Sequence, residues 1–381
     1  MTPGEMTPRL RRDAEQRQDR RVSWVELFFD LVFVVLIARL SHDLEGHLDP
    51  RGIGAFLLKM LPIWWIWMGT VVYQERFEGD DLGHRLLVGA QVLGVAVLAT
   101  TIEPGVGGAA FALSYVVVRG ISVLAWFRAG LANAPVRHLI ARETVGYAAS
   151  LVLWTLSAFA SGPLALTLRA TGLLLDLATP ALVQAVTTQR FPKISSDRAA
   201  ERFGLFTIIV LGESLSRAIA GVPPHASLPA YGLLAGAVGL AFGWWWLYFD
   251  RVADRHPDLD GPAGFTWAYG HLPLFVGVVL SAAAVTPLIA GGHEDGQLAV
   301  VAFVVAVAMG IISLAALTRL SPPSTGERRV RPASVLSAAG LLMSLVAGPS
   351  AELAMALSVM AVGVVVVVSV VAARPVGDGD G

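Results

Sequence analysis

The chain has no cysteine. Disulfides, thiolate-bound zinc, cysteine-ligated iron–sulfur clusters and a cysteine nucleophile are therefore excluded. Charge is scarce as well: Asp, Glu, Lys and Arg make up 15% of the residues, against about a quarter in soluble globular chains. The charge present balances, 28 Lys and Arg against 29 Asp and Glu for a formal net of −1. No excess of one sign draws a polyanion, and nucleic acid is not expected as a partner. Motifs with built-in chemistry are missing too. There is no H-E-x-x-H, D-D-x-x-D, Walker loop or G-x-S-x-G, and "GDD" at 79–81 has no second acidic motif beside it. The sequence therefore names no metal and no cofactor.

What fills the chain instead is hydrocarbon: 55% of its 381 residues are apolar and its mean hydropathy is +0.64. Twelve apolar spans are expected, at 24–41, 53–73, 85–102, 107–127, 140–160, 163–183, 203–220, 229–249, 266–289, 296–318, 332–348 and 350–372. Most approach the roughly 20 residues that a helix needs to cross about 30 Å of hydrocarbon. The shortest is 332–348, and 140–160 is parted from 163–183 only by "SGP", a tight helix–helix turn. Barrel strands would be about ten residues long and alternating in polarity. A soluble bundle would need polar helix faces that these runs lack. The first span has no small-residue cleavage site and is not read as a removed signal. The expected fold is an all-α, polytopic membrane bundle in contact with a lipid bilayer.

Basic residues give a direction. With the amino terminus inside, and with the span-edge residues Arg85 and Arg142 counted with the inner segments they adjoin, those segments hold 22 of the 28 Lys and Arg, five lie deeper within spans, and the outer loops hold one, Arg51. That bias follows the positive-inside rule and places both termini in the cytoplasm. The expected layout is a basic cytoplasmic tail (1–23), a six-helix repeat (24–183), a cytoplasmic linker (184–202), a second six-helix repeat (203–372) and a cytoplasmic tail (373–381). The first tail, "RLRRDAEQRQDRR", reads as a topology determinant, with contact to anionic lipid as the alternative.

The repeat is visible in three ordered matches. "ELFFDLVFVVLIARLSH" (26–42) aligns with "ERFGLFTIIVLGESLSR" (201–217) at six of 17 positions. Trp64, Trp65 and Trp67 correspond to Trp244, Trp245 and Trp246, and Gly83-His84 to Gly270-His271. Both halves start from the same side, so they form parallel repeats, an arrangement typical of transporters.

Charges inside the spans are functional candidates because hydrocarbon makes them costly. Glu26 and Asp30 stand four apart on one helical face, and two such carboxylates suit a proton carrier, a divalent-metal site or an acid/base pair. The competing reading of Glu26 is a helix cap. Glu201 and Arg202 open the seventh span. Glu213 lies roughly 18 Å further along it, beside Gly212, with Arg217 in salt-bridge register. A glycine at such a place lets a second backbone approach. Arg119 beside Gly120 and Arg169 with Asp176 add two more buried sites. Trp64, Trp65 and Trp67 sit mid-span, below any interfacial belt, and are expected to line a cavity. Asp250 ends the aromatic run "WWWLYFD", and His271 is a lone histidine without ligand spacing. Asp30 and Glu213 are expected to line the interior with Arg217 or Arg119 as partners. Static pairing of all these charges, as glue between helices, is the competing account.

The stretches "VSWVELFFDLVFVVLIARLSHDL" (22–44), "ERFGLFTIIVLGESL" (201–215), "WWWLYFD" (244–250) and "YGHLPLFVGV" (269–278) resemble the bacterial low temperature requirement A family over nearly the whole chain. Glu26, Asp30, Glu201, Arg202, Gly212, Glu213, Asp250 and His271 stand at positions characteristic of that pattern. The resemblance implies a multi-pass bacterial inner-membrane protein and no settled activity, cofactor or substrate. Three readings follow: a secondary transporter or permease moving an unidentified small molecule or ion, an intramembrane enzyme acting on a lipid or isoprenoid-like substrate, or a non-catalytic stress or assembly protein. Whether the chain is an enzyme is left open at this point.

Overall fold

The structure, a computed structural model, describes residues 9–10, 23–78, 82–187, 191, 196–253, 255–259, 262–291, 296–320 and 327–373. Most of the basic tail, "GDD", Arg190, Lys193 and Arg374 lie outside them. Among the described residues there are twelve α-helices: α1 Trp24–Glu45, α2 Pro50–Arg76, α3 Leu82–Thr100, α4 Ala109–Ala132, α5 Arg137–Ser157, α6 Gly162–Ala185, α7 Ser196–Ala220, α8 Leu228–Tyr248, α9 Pro262–Ala290, α10 Gly296–Leu320, α11 Glu327–Ser344 and α12 Ala351–Ala373. The extended backbone pairing described is two residues long, β1 Arg9–Leu10 antiparallel to β2 Phe77–Glu78.

Nine of these helices are long and apolar enough to cross a membrane. The others fall short for visible reasons. Helix α1 carries Glu26, Asp30 and Arg39, α5 carries Arg137, Arg142 and Glu143, and α11 starts on "ERRVR" and spans only 18 residues. The "SGP" turn forms as read: α5 stops at Ser157, and Gly162 opens α6 with φ +58°, ahead of Pro163. That left-handed φ strains any residue with a Cβ.

The chain divides into two compact units, residues 1–43 with 50–202, and residues 44–49 with 203–381. In the first, α4 packs on α2, α3 and α5, and α6 on α2 and α5. Small residues let these helices close up: Gly146 faces Thr179, and a methyl at Gly172 would lie 2.8 Å from the Trp154 ring. An aromatic cluster of Tyr73, Phe77 and Trp126 fills one end of this unit.

In the second unit α10 packs on α9, α11 and α12, and α8 on α9 and α12. Helices α9 and α10 nearly touch backbones, since a Cβ at Gly277 would stand 2.9 Å from the Ala306 carbonyl oxygen. Gly236 and Gly243 of α8 are filled from α12 by Met355 and Val362. Small residues at helix contacts are how membrane helices gain packing without a hydrophobic driving force between them. The outward faces are apolar as well, with Leu86, Leu93 and Val97 of α3 and Val145, Val152 and Leu156 of α5 all exposed. Helices apolar all round belong in lipid.

Candidate functional site

The first unit holds a ladder of ion pairs. Glu26 and Asp30 are one turn apart on α1, and Arg198 and Arg202 are one turn apart on α7, so equal spacing on the two helices forms two rungs. On the outer rung Arg198 Nη2 donates to Glu26 Oε1 and Oε2 at 2.6 and 2.8 Å. On the inner rung Arg202 Nη2 donates to Asp30 Oδ1 at 2.5 Å and Nε to Oδ2 at 3.2 Å. Asp30 is 1% exposed and Arg202 0%, so the inner rung is a charge-assisted fork shielded from water, while on the outer rung one nitrogen of Arg198 serves both carboxylate oxygens.

Helix α2 closes the ladder from a third side. Trp67 Nε1 donates to Asp30 Oδ1 at 2.8 Å, Gln74 Oε1 accepts from Arg202 Nη1, and Glu75 Oε1 lies 3.3 Å from Arg198 Nε. Glu26 has a second task. Its Oε2 accepts from Ser23 N at 3.0 Å while Ser23 Oγ accepts from Glu26 N at 3.3 Å, the reciprocal capping box that starts α1. The cap and the ion-pair readings of Glu26 are therefore both realised. The two carboxylates do not share one proton or one cation, because each has its own guanidinium.

A second buried centre joins α4 and α6. Arg119 Nε and Nη2 donate to Asp176 Oδ2 and Oδ1 at 3.0 and 2.7 Å, and Tyr115 OH donates to Oδ2 at 2.8 Å. The guanidinium lies 4.4 Å from the Tyr147 ring centroid and 5.7 Å from that of Trp65. Gly69 on α2 makes room for it, since a Cβ there would stand 3.2 Å from Arg119 Nη1. Alongside, Gln91 links Thr70 and Ser122 across three helices. Arg169 does not join Asp176. It clamps the loop before α4, donating to the carbonyls of Val106, Gly107 and Gly108 and to Ser157 Oγ.

The second unit contains Glu213, 8% exposed on α7. Among the described residues it has no hydrogen bond or ion pair. Arg217, expected as its i,i+4 partner, pairs with Glu45 instead. Gly212 and Gly120, expected to admit a neighbouring backbone, face open space; the close approach to Arg119 comes from Gly69. Glu201 is exposed. His271 is buried and fully used, its Nδ1 against the Trp267 carbonyl at 2.8 Å and its Nε2 against Tyr248 OH at 3.0 Å. Asp250 and Arg251 lie in a π-helical turn, Phe249–Ala253, and both bind Ser369 of α12.

The tryptophans expected to line a cavity are buried in the first unit, where Trp67 serves Asp30 and Trp65 lies under Arg119. A small, mostly apolar recess lies in the other unit, bounded by Leu247, Arg251, Thr318 and Ser334. Sequence reasoning brought Glu26, Asp30 and Arg202 forward but missed Arg198, Gln74, Glu75, Lys59 and Glu143. Arg198 was detectable, because it repeats the four-residue spacing of the acids it meets. Lys59 binds Asp43 and the Glu103 carbonyl. Among the described residues no three His, Asp or Glu side chains gather to hold a metal.

The family model described as Bacterial low temperature requirement A protein (LtrA) matches residues 21–373. An uncharacterized protein of Rhizobium meliloti (strain 1021) is 26% identical over 288 residues, covering 70% of this chain and 69% of the relative. No solved structure matches the chain.

Proposed function

This chain belongs to the bacterial low temperature requirement A family and is a multi-pass membrane protein of a bacterial membrane, and from that premise we propose that it is a proton-coupled secondary transporter of a small solute. In this reading all twelve helices cross the inner membrane with both termini in the cytoplasm. Residues 24–183 and 203–372 are parallel six-helix repeats joined by 184–202.

Glu213 carries the reading. The buried acids Glu26, Asp30 and Asp176 each sit on an arginine, which serves equally well to hold helices together. Glu213 sits on none, inside a helix of membrane-crossing length and apolarity. An unpaired acid in such a helix costs at least about 2.5 kcal/mol. A helix gains no packing from that cost, whereas a carboxyl that loads and releases a proton requires freedom from a fixed counter-ion. Asp30, Arg202, Arg119 and Asp176 then act as charge pairs that hold or exchange partners as the substrate passes.

The test uses the full chain in proteoliposomes with a pH dye inside, under an imposed pH gradient and against a panel of amino acids, organic acids, sugars and organic cations. At least one class should move protons with the native chain and fail to do so with Glu213→Gln, which inserts and folds normally. Absence of solute-dependent flux across the whole panel would remove the transporter reading. Solute flux that survives Glu213→Gln at every pH would remove the coupling role of Glu213.

A further inference from the structure

Helix α5 carries a second buried acid, which the sequence did not single out. Glu143 is 5% exposed and, among the described residues, has no hydrogen bond and no ion-pair contact within 4 Å. The charges that act on it are Arg76 from α2 and Arg119 from α4. The second is close at hand, because Arg119 lies over the ring of Tyr147, one turn further along α5. Both of these arginines have other work. Arg76 covers the Phe191 ring at 4.5 Å. Arg119 gives Nε and Nη2 to Asp176, while its Nη1 makes no hydrogen bond among the described residues. A carboxyl without donors therefore stands one helical turn from the ring that carries this guanidinium, which has a donor to spare.

We propose that Glu143 is a proton-binding site in the first unit, and that its charge competes with Asp176 for Arg119. With the proton on, Glu143 is neutral and Arg119 stays in the fork with Asp176 and Tyr115. When the O–H bond breaks and the proton leaves to water, the carboxylate draws the spare N–H of Arg119 and loosens the fork. A proton is the ligand this group fits, because one carboxyl flanked by two arginines offers a metal ion a single ligand and repels it twice. The proposal rests on the proton-coupled reading for its use in the cycle, and the experiment separates the two.

Dicyclohexylcarbodiimide partitions into membranes and reacts with protonated carboxyls there. Membrane vesicles holding the full chain are treated with it from acid to alkaline pH, and the modified residues are located by peptide mass spectrometry. Glu143 should be modified, increasingly so towards acid pH, while Glu26, Asp30 and Asp176, held by arginines, should stay unmodified. In Asp176→Asn, Arg119 loses its acid and turns to Glu143, so modification of Glu143 at a fixed pH should fall several-fold. No modification of Glu143 in the native chain, or modification of Asp176 to the same extent, overturns the proposal without need of a variant. Unchanged modification of Glu143 in a folded Asp176→Asn chain overturns the competition for Arg119. Label on Glu213 but not on Glu143 leaves the transporter reading standing while this inference falls, and label on Glu143 but not on Glu213 upholds this inference while removing the proton-binding role of Glu213.

Discussion

Asp30 accepts two N–H groups from Arg202 and one from Trp67, so its removal leaves a buried guanidinium without the carboxylate it bonds. Breaking a buried pair from one side typically costs about 3–5 kcal/mol, and Asp30→Asn should lose an amount of that order when unfolded in mixed micelles. Adding Arg202→Gln to it should recover part of the loss, because the orphaned charge is then gone as well. Glu213→Gln, measured in the same way, should cost nothing, since no partner is stranded. If Glu213→Gln proves as damaging as Asp30→Asn, Glu213 has a structural counter-ion and is not a free acid. The acids themselves were legible in the sequence because charges stand out in apolar runs. Their partners were not. Arg217 and Glu213 have ideal helical spacing, yet Arg217 takes Glu45, because spacing along one helix says nothing about what a second segment brings alongside.

At the scale of helices, apolar runs and their breaks were readable, and the "SGP" turn falls where glycine and proline placed it. The role of individual glycines was less readable, since a glycine in a membrane helix marks a close approach only if something approaches. A Cβ at Gly277 meets the α10 backbone at Ala306 and Gly310, whereas one at Gly120 meets nothing within 4 Å. Gly277→Ala should therefore destabilise by about 1–3 kcal/mol through overpacking. Gly120→Ala should be neutral or gain up to about 1 kcal/mol from helix propensity. Thermal unfolding of the two variants in the same detergent checks the pair, and equal losses would contradict the described α9–α10 contact.

At the scale of the whole molecule, the absence of native cysteine makes topology directly testable. Single cysteines replacing Asp49 and His225, both exposed, should react with an impermeant thiol reagent from outside the cell. One replacing the exposed Ala134 should react only after the membrane is opened. The reverse pattern would invert the orientation inferred from the basic residues. Helix α1 is the instructive case for this scale. Its charges keep it out of the nine helices that qualify as spans by length and apolarity alone, and those same charges build the ladder.

The two rungs of that ladder join residues 172 positions apart in the chain, and this distance is also an interval of time. A ribosome adding about 5–20 residues per second delivers α1 with its two acids roughly 10–35 s before Arg198 and Arg202 exist. During that wait Glu26 already has its own cap in Ser23, and once α2 emerges Asp30 has the indole of Trp67. The acids of α1 thus wait on credit from local partners, and the first unit is complete only when the opening turns of α7 leave the ribosome.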